Sequence, residues 1–334
     1  MNTIRVILCG VGGVGRNLVR VSRERPTLQV VAGYSRNASL QDRDLGELSG
    51  GSTTGARVQT RQEALATPAD LLLIATTSFL ADVEPDIHAG IDADLHVVCT
   101  AEEMASPWET DPVAAGRIDA HAREHGVTVI GAGANPGYIY EVVGLALTGA
   151  VWRVDRIGVR RVVDLSGFSP TVRARLGIGF EPGEFGAKVR DRVIHGHIGF
   201  PHTIRTFARR LGVSIERIDE TIEPLLAADT IEAAGLTVAA GRSAGLLQRT
   251  IGIADGVAWF TAEFLGHVGL AEIGLSPRDS YEIEGLPDVR GVVEPGFNPQ
   301  WTTAGALANY FPLVVAAPPG LISVTDLRIP TPWR

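Results

Sequence analysis

A glycine loop set between a short apolar run and a helical pattern limits what this chain can fold into more than any other feature. The stretch Ile4-Arg5-Val6-Ile7-Leu8-Cys9 is followed by Gly10-Val11-Gly12-Gly13-Val14-Gly15-Arg16. Gly10, Gly12 and Gly15 fit G-x-G-x-x-G. The first glycine allows a tight turn, the second lets a pyrophosphate approach the backbone, and the third lets the helix pack on the strand. Free N–H groups at the helix start, from Gly13 and Val14 onward, then face the phosphates. An ordinary glycine turn is the alternative. The second apolar run, Leu28–Tyr34, lies at βαβ distance and favours a dinucleotide site.

Alternating strand and helix signals continue from there. Arg57–Thr60 is a weak third strand, and Leu71–Ala75 and His96–Cys99 are short runs of the kind buried in parallel sheets. Leu80–Ala89 reads as a helix. Asp111-Pro112 reads as an N-cap with proline at the first helical position, opening a helix to about His125. Val127–Ile130 is a further strand. The expectation is an α/β fold with a doubly wound parallel Rossmann sheet.

After Asn135-Pro136-Gly137 the pattern changes. Helices are expected over Tyr138–Leu147, Glu181–Arg192 and Pro201–Leu211, with a β-branched run at Asp155–Leu165. Residues 217–293 are rich in valine, isoleucine and glycine, with turn signals such as Ala254-Asp255-Gly256, which predicts a second α+β domain on a largely antiparallel open sheet. Thr302–Phe311 is helical again, with Pro312 expected to end it. The predicted organisation is a dinucleotide-binding domain over 1–136, completed by 302–334, and a substrate and dimerisation domain over 137–301.

At 334 residues with 45% hydrophobic content, the chain is long enough for two cores. Its net charge of -8 argues against a nucleic-acid surface. No apolar run approaches a membrane span, and no leader pattern is visible. Cys9 and Cys99 end predicted strands and read as buried thiols of a cytoplasmic protein, not as a disulfide.

The end of the second strand sets the cofactor expectation. An NAD site usually has an acid there for the ribose 2′-hydroxyl. Here the sequence is Gly33-Tyr34-Ser35-Arg36-Asn37, without a carboxylate. Ser35, Arg36 and Asn37 suit a 2′-phosphate, so NADP is preferred, with NAD possible; the alternative is a solvated loop. Ala75, Thr76 and Thr77 follow the fourth strand and suit the ribose or nicotinamide, or else form a helix cap with Ser78.

Thr100-Ala101-Glu102-Glu103-Met104 follows the fifth strand, where hydride chemistry would occur in such a sheet. Lys188, the only lysine, lies far along the chain. A carboxylate in this place suits a substrate that carries positive charge, and an iminium ion is one. The same group could hold ammonium, deprotonate it and protonate a departing carbinolamine hydroxyl. The alternative is an acid stabilising a helix N-terminus. The two side chains are expected to point apart, with Glu102 preferred as catalytic and Glu103 as the alternative. Asn135 could meet the nicotinamide carboxamide, or belong to a plain turn. His195, His197 and His202 have some metal-ligand character but lack a supporting cysteine or carboxylate pattern, so no metal site is expected in the chain.

At this point the residues carry a family resemblance. The chain resembles the 2,4-diaminopentanoate dehydrogenase and native amine dehydrogenase family, with a dihydrodipicolinate reductase-like N-terminal domain. The similarity rests on Thr100–Met104 with Pro107-Trp108, on Asn135-Pro136-Gly137-Tyr138, and on Arg153–Ile157 with Arg161–Asp164. It rests further on Gly196-His197-Ile198-Gly199-Phe200-Pro201, Glu220–Pro224, Pro319-Gly320-Leu321 and Asp326-Leu327. It implies reductive amination of a ketone or aldehyde with ammonia, the reverse oxidative deamination, and a homodimer formed through the second domain's open sheet. Three departures stand out: His202 and Thr203 where glutamate and serine are common, Glu141 where aspartate is common, and Pro295–Trp301 in place of a Pro-Gly-Gly segment. They imply a pocket other than that for a diamino acid, with more aromatic walls. Tyr138, Tyr140, Phe168, His197 and Phe200 are its candidate lining, with plain core roles as the alternative. Reduction of a preformed imine and a non-catalytic NADPH-binding sensor are the competing functions.

Overall fold

The computed structural model describes residues 3–333. The chain divides into two compact units, Met1–Val143 with Asn298–Arg334, and Gly144–Phe297.

In the first unit the strands are β1 (Ile4–Cys9), β2 (Leu28–Tyr34), β3 (Val58–Gln59), β4 (Leu71–Ile74), β5 (His96–Cys99) and β6 (Thr128–Gly131). A strand near the C-terminus, Gly320–Ser323, pairs in parallel with β6. The sheet has seven strands, in the order C-terminal strand–β6–β5–β4–β1–β2–β3. The chain winds outward from β1 to β3, then returns to β4 on the other side. The switch point between β1 and β4 is where such sheets hold ligands.

Both faces of this sheet are covered, so successive side chains of one strand serve two different cores. Val6 and Leu8 of β1 join one cluster with Leu18, Leu307, Phe311 and Val314. Ile7 and Cys9 join the other, with Leu72, Ile74, Ile87 and Ile118. Burial pushes the thiols of Cys9 and Cys99 up to about 12, so both remain protonated.

The unit boundaries differ from those expected at 136/137 and 301/302. The segment after Asn135-Pro136-Gly137 stays with the first unit because Tyr138 and Val142 pack on its core. The continuous helix expected over Tyr138–Leu147 is instead a wide helical segment within Ala134–Gly144, followed by a short α-helix, Leu145–Thr148.

A second correction concerns Pro312, which lies inside the helix Pro299–Val315 and does not end it. An internal proline lacks the N–H that would bond the carbonyl four residues back, here Ala308. The indole Nε1–H of Trp333 donates to that carbonyl at 2.7 Å and replaces the missing donor. Trp333→Phe keeps most of the apolar bulk and leaves the Ala308 carbonyl without its partner. It is expected to lower stability by ~1–3 kcal/mol, measured as the midpoint of urea or thermal unfolding; an unchanged midpoint would contradict that role.

The second unit contains β7 (Arg153–Asp164), β8 (Arg217–Leu226), β9 (Ile231–Ala233), β10 (Leu236–Val238), β11 (Ser243–Ala254), β12 (Val257–His267), β13 (Arg278–Leu286) and β14 (Val289–Val293); the C-terminal strand is then β15. Its six-stranded sheet runs β14–β13–β7–β12–β11–β8. All neighbours are antiparallel except β7 and β12, which are parallel. The helix Phe200–Leu211 packs on this sheet, with Phe207 edge-on to Phe260 at 5.0 Å between ring centres. The strands also carry cross-strand ion pairs, Arg249–Glu263 at 2.6 Å and Arg160–Glu263 at 3.6 Å.

Candidate active site

The carboxyl ends of β1, β2, β4, β5 and β6 bring together the loops singled out in the sequence. Gly10 follows β1 with φ of +100°, a conformation that L side chains rarely adopt. A Cβ there would also stand 2.5 Å from the Ala75 carbonyl oxygen, at the start of the β4 loop. A Cβ on Gly15 would stand 2.5 Å from the Gly10 carbonyl oxygen, so the helix Gly13–Arg23 sits close against the turn. Cβ atoms on Gly12 and Gly13 would meet nothing within 4 Å. The backbone is therefore open to a ligand at the two middle glycines and tightly packed at the outer two. The helix has no acid in its first turn and no side-chain cap, which leaves its positive end for an anion.

After β2, Ser35 is half-buried and Arg36 exposed. Ser35 Oγ accepts from the Asn37 N–H at 3.1 Å. Asn37 Oδ1 in turn accepts from Ser39, from its N–H at 3.0 Å and its hydroxyl at 2.8 Å. Asn37 thus caps the following turn, and Arg36 has no ion pair among the described residues. After β4, Ala75 N–H donates to the Cys9 carbonyl at 2.8 Å and ties the two loops together. Thr76 is exposed, and the Thr77 hydroxyl donates to Asp82 at 3.2 Å.

The two glutamates after β5 are both half-buried. Glu103 Oε2 accepts from the Leu80 N–H at 2.7 Å, at the start of the helix Leu80–Asp92. The N-cap residue of that helix, Phe79, offers no side-chain bond, so Glu103 supplies the missing acceptor from another segment. Glu102 is half-buried and close enough to Cys99 for its charge to help raise that thiol. Thr100 N–H donates to the Ile74 carbonyl at 2.9 Å, and Ala101 is buried.

Beyond β6, the amide oxygen and nitrogen of Asn135 are both buried and have no hydrogen-bond partner among the described residues. Leaving such a pair unmet is costly unless a ligand meets it. Nearby, fully buried Glu141 accepts from the Gly137 N–H at 2.7 Å and holds the turn that carries Asn135. Burial and the Glu141 charge raise the pKa of Tyr310 in the same core. Tyr138 is half-buried and Tyr140 fully buried.

In the second unit, His197 stacks on Phe200 with ring centres 4.6 Å apart. Phe200 is fully buried and Phe168 half-buried. The Gly199 N–H donates to His197 Nδ1 at 3.1 Å, which puts the imidazole proton on Nε2. Burial, reinforced by the Arg161 charge, pushes His197 down to about 3, so the ring is a neutral donor at ordinary pH. His202 is likewise pushed down to about 4, by burial and then Arg205. Sequence reasoning missed the support for His197. Gln248 Nε2 donates to the His197 carbonyl at 3.0 Å and to Glu220 at 2.8 Å, while its Oε1 accepts the His197 N–H. A fully buried glutamine in the apolar strand β11 was the available signal. The lone lysine, Lys188, pairs with Glu184 at 3.6 Å and sits over the Phe180 ring at 4.8 Å.

Residues 138–334 match the model of the 2,4-diaminopentanoate dehydrogenase C-terminal domain. The chain belongs to that family. Residues 4–98 match the N-terminal domain of dihydrodipicolinate reductase. A 2,4-diaminopentanoate dehydrogenase of Acetoanaerobium sticklandii is 28% identical, over 99% of this chain and 95% of that one. An amine dehydrogenase of Streptomyces virginiae is 26% identical, over 98% and 96%. The solved amine dehydrogenase of Mycobacterium smegmatis superimposes with a TM-score of 0.83 at 26% identity, covering 97% and 96% of the two chains. This member of the 2,4-diaminopentanoate dehydrogenase family is thus an NAD(P)-dependent oxidoreductase.

Proposed function

We propose that the chain is an amine dehydrogenase, joining ammonia to a ketone or aldehyde at the expense of NADPH and running the reverse oxidative deamination. The observation that carries this reading is the placement of two carboxylates, Glu102 and Glu103, just beyond the carboxyl end of β5, with Glu103 at the start of a helix and half-buried Glu102 beside Cys99. The two relatives named amine dehydrogenase point to the same reaction.

The dinucleotide supplies or accepts the hydride when bound. The residues around its expected place fit it: the open backbone at Gly12 and Gly13 for the pyrophosphate, and the unmet Asn135 amide for the nicotinamide carboxamide. Ammonia adds to the carbonyl carbon to give a carbinolamine. The Glu102 carboxylate takes the proton from ammonium that frees this ammonia and returns it to the departing hydroxyl of the carbinolamine, so that water leaves and an iminium remains. Facing that cation, the carboxylate stabilises it without reorganising. Within the second unit, His197 is a neutral Nε2–H donor, hydrogen-bonded to Gly199 and held in place through Gln248. No helix among the described residues is long and apolar enough to cross a membrane. We assign the enzyme to the cytoplasm on its two buried free cysteines, and a homodimer on the resemblance to its family.

The test is a panel of small ketones with ammonium and of amines with oxidised cofactor, followed at the reduced-nicotinamide absorbance band and by product identification. Turnover of amine to carbonyl, and of carbonyl plus ammonium to amine, is the expected result. Tight dinucleotide binding with no turnover on any pair would instead mark a sensor.

For the cofactor, NADPH is the proposed partner because β2 ends without a carboxylate and Arg36 is exposed without an ion pair. Arg36→Ala removes a guanidinium that would pair with the 2′-phosphate. It is expected to raise KM for NADPH by about 10–100-fold, with little change for NADH. Equal losses for both cofactors would contradict the assignment.

A further inference from the structure

The outer layer of the first unit carries a histidine cluster that the dehydrogenase chemistry does not use. His121 and His125 stand four residues apart on the helix Pro112–Glu124 and its C-cap, a spacing that puts both rings on one face. Asp92 ends the neighbouring helix Leu80–Asp92. One ligating atom from each of Asp92, His121 and His125 lies within 4.8 Å of the other two.

The surroundings set the tautomer of His125 and leave one proton shared between His121 and His88. His125 Nδ1 meets the Asp94 carboxylate at 2.9 Å, so its proton belongs on Nδ1 and its lone pair on Nε2. His121 Nδ1 meets His88 Nδ1 at 2.7 Å, and His121 Nε2 lies 3.1 Å from Asp92 Oδ1. Two imidazole nitrogens that close share one proton. With that proton on His121, its Nε2 lone pair also faces Asp92. His88 Nε2 then stands 3.5 Å from Glu84, which Arg117 holds at 2.7 Å. Both histidines therefore have the outer support typical of metal-ligating imidazoles: Asp94 behind one, and His88 and Glu84 behind the other.

We propose that Asp92, His121 and His125 form a site for a divalent transition-metal ion of the zinc class, bound through two Nε2 atoms and a carboxylate oxygen with water completing the shell. With all separations already within 4.8 Å, small side-chain rotations bring the ligands to the roughly 3.3 Å that separates tetrahedral ligands around zinc. Asp92 is exposed and the two rings are half-buried, so the ion enters from solvent. Two helices end at the cluster, and their negative C-terminal poles favour a cation. The cluster lies just ahead of β5 and β6 in the chain, at the amino-terminal edge of the sheet. The glycine loop occupies the opposite edge, so the ion acts as a clip between two helices and takes no part in hydride transfer.

The test is calorimetric titration of chelator-treated full-length protein with zinc chloride, together with the visible spectrum of the cobalt(II) form. One ion per chain is expected, with a thermal midpoint that rises on zinc addition. His121→Ala, His125→Ala and Asp92→Asn should each lose binding. Asp94→Asn and His88→Phe should weaken it by about 10–100-fold, while His195→Ala should leave it intact. No zinc uptake, or uptake that persists in His121→Ala and His125→Ala, would overturn the proposal. These side chains are at the surface, and unchanged far-ultraviolet dichroism separates loss of binding from loss of fold.

Discussion

Glu102→Gln is expected to lower kcat/KM for reductive amination by about 10²–10⁴-fold, with NADPH affinity close to that of the unaltered protein. Glutamine keeps the volume and one acceptor but carries no negative charge and takes up no proton. Both proposed duties of the carboxylate fail together: stabilising the iminium, and moving a proton from nitrogen to the departing hydroxyl. Measuring kcat/KM beside cofactor affinity separates this from a disturbed fold. Glu103→Gln provides the contrast. Its carboxylate oxygen accepts the Leu80 N–H at 2.7 Å, a bond that a glutamine oxygen also makes, so activity should stay within a few-fold while stability falls by ~0.3–1 kcal/mol. A Glu103→Gln enzyme that loses turnover while Glu102→Gln retains it would exchange the two roles.

Arg161→Met is expected to destabilise the protein by about 3–5 kcal/mol, the largest stability loss anticipated for a single substitution here. Arg161 and Asp279 are 5% and 1% exposed, and Nη1 lies 2.8 Å from Oδ1. The guanidinium also donates to the Phe297 carbonyl at 2.8 Å, and the Phe297 N–H donates to Asp279 at 2.8 Å. Four groups thereby close a loop that pins the end of the second unit. Burial pushes the Asp279 carboxyl up, against the pull of Arg161. Removing the guanidinium leaves that carboxyl buried without its counter-charge. Chemical denaturation reads the loss, and the double variant Arg161→Met/Asp279→Leu should recover part of it, because an apolar pair removes the uncompensated charge. A double variant no more stable than Arg161→Met alone would show that the loss comes from the Phe297 contact.

The parallel sheet was legible because its signals are local. Short apolar runs such as Leu71–Ile74, each followed by a glycine, a cap or a helix start, set strand positions to within a residue or two. β15 was not legible as a strand, since Gly320–Ser323 follows two prolines and only its pairing with β6 makes it one. Pro312 misled for a related reason: the donor that rescues the helix, Trp333, lies beyond the helix in sequence and reaches it only through folding. The candidate site divides in the same way. Sequence position placed Glu102 and Glu103 together after β5 and implied that they point apart, without naming the partner of either. The contact between Glu103 and the Leu80 N–H joins two segments that the sheet brings alongside one another. Likewise Asn135 could be read either as a partner of the nicotinamide carboxamide or as part of a turn, and burial of its amide away from any partner among the described residues is a tertiary fact. His121 and His125 carried a visible i, i+4 spacing, but Asp92 joins them only where two helices end side by side.

The most direct measurement is the rate of NADPH oxidation by a small ketone as ammonium is raised from zero at fixed pH, with the amine product quantified. A carboxylate that assembles and faces an iminium requires ammonia in every turnover. The expected result is no oxidation without ammonium, a saturable rise with it, and one amine formed per NADPH consumed. Oxidation at full rate without ammonium, or with an alcohol as the product, would contradict that chemistry.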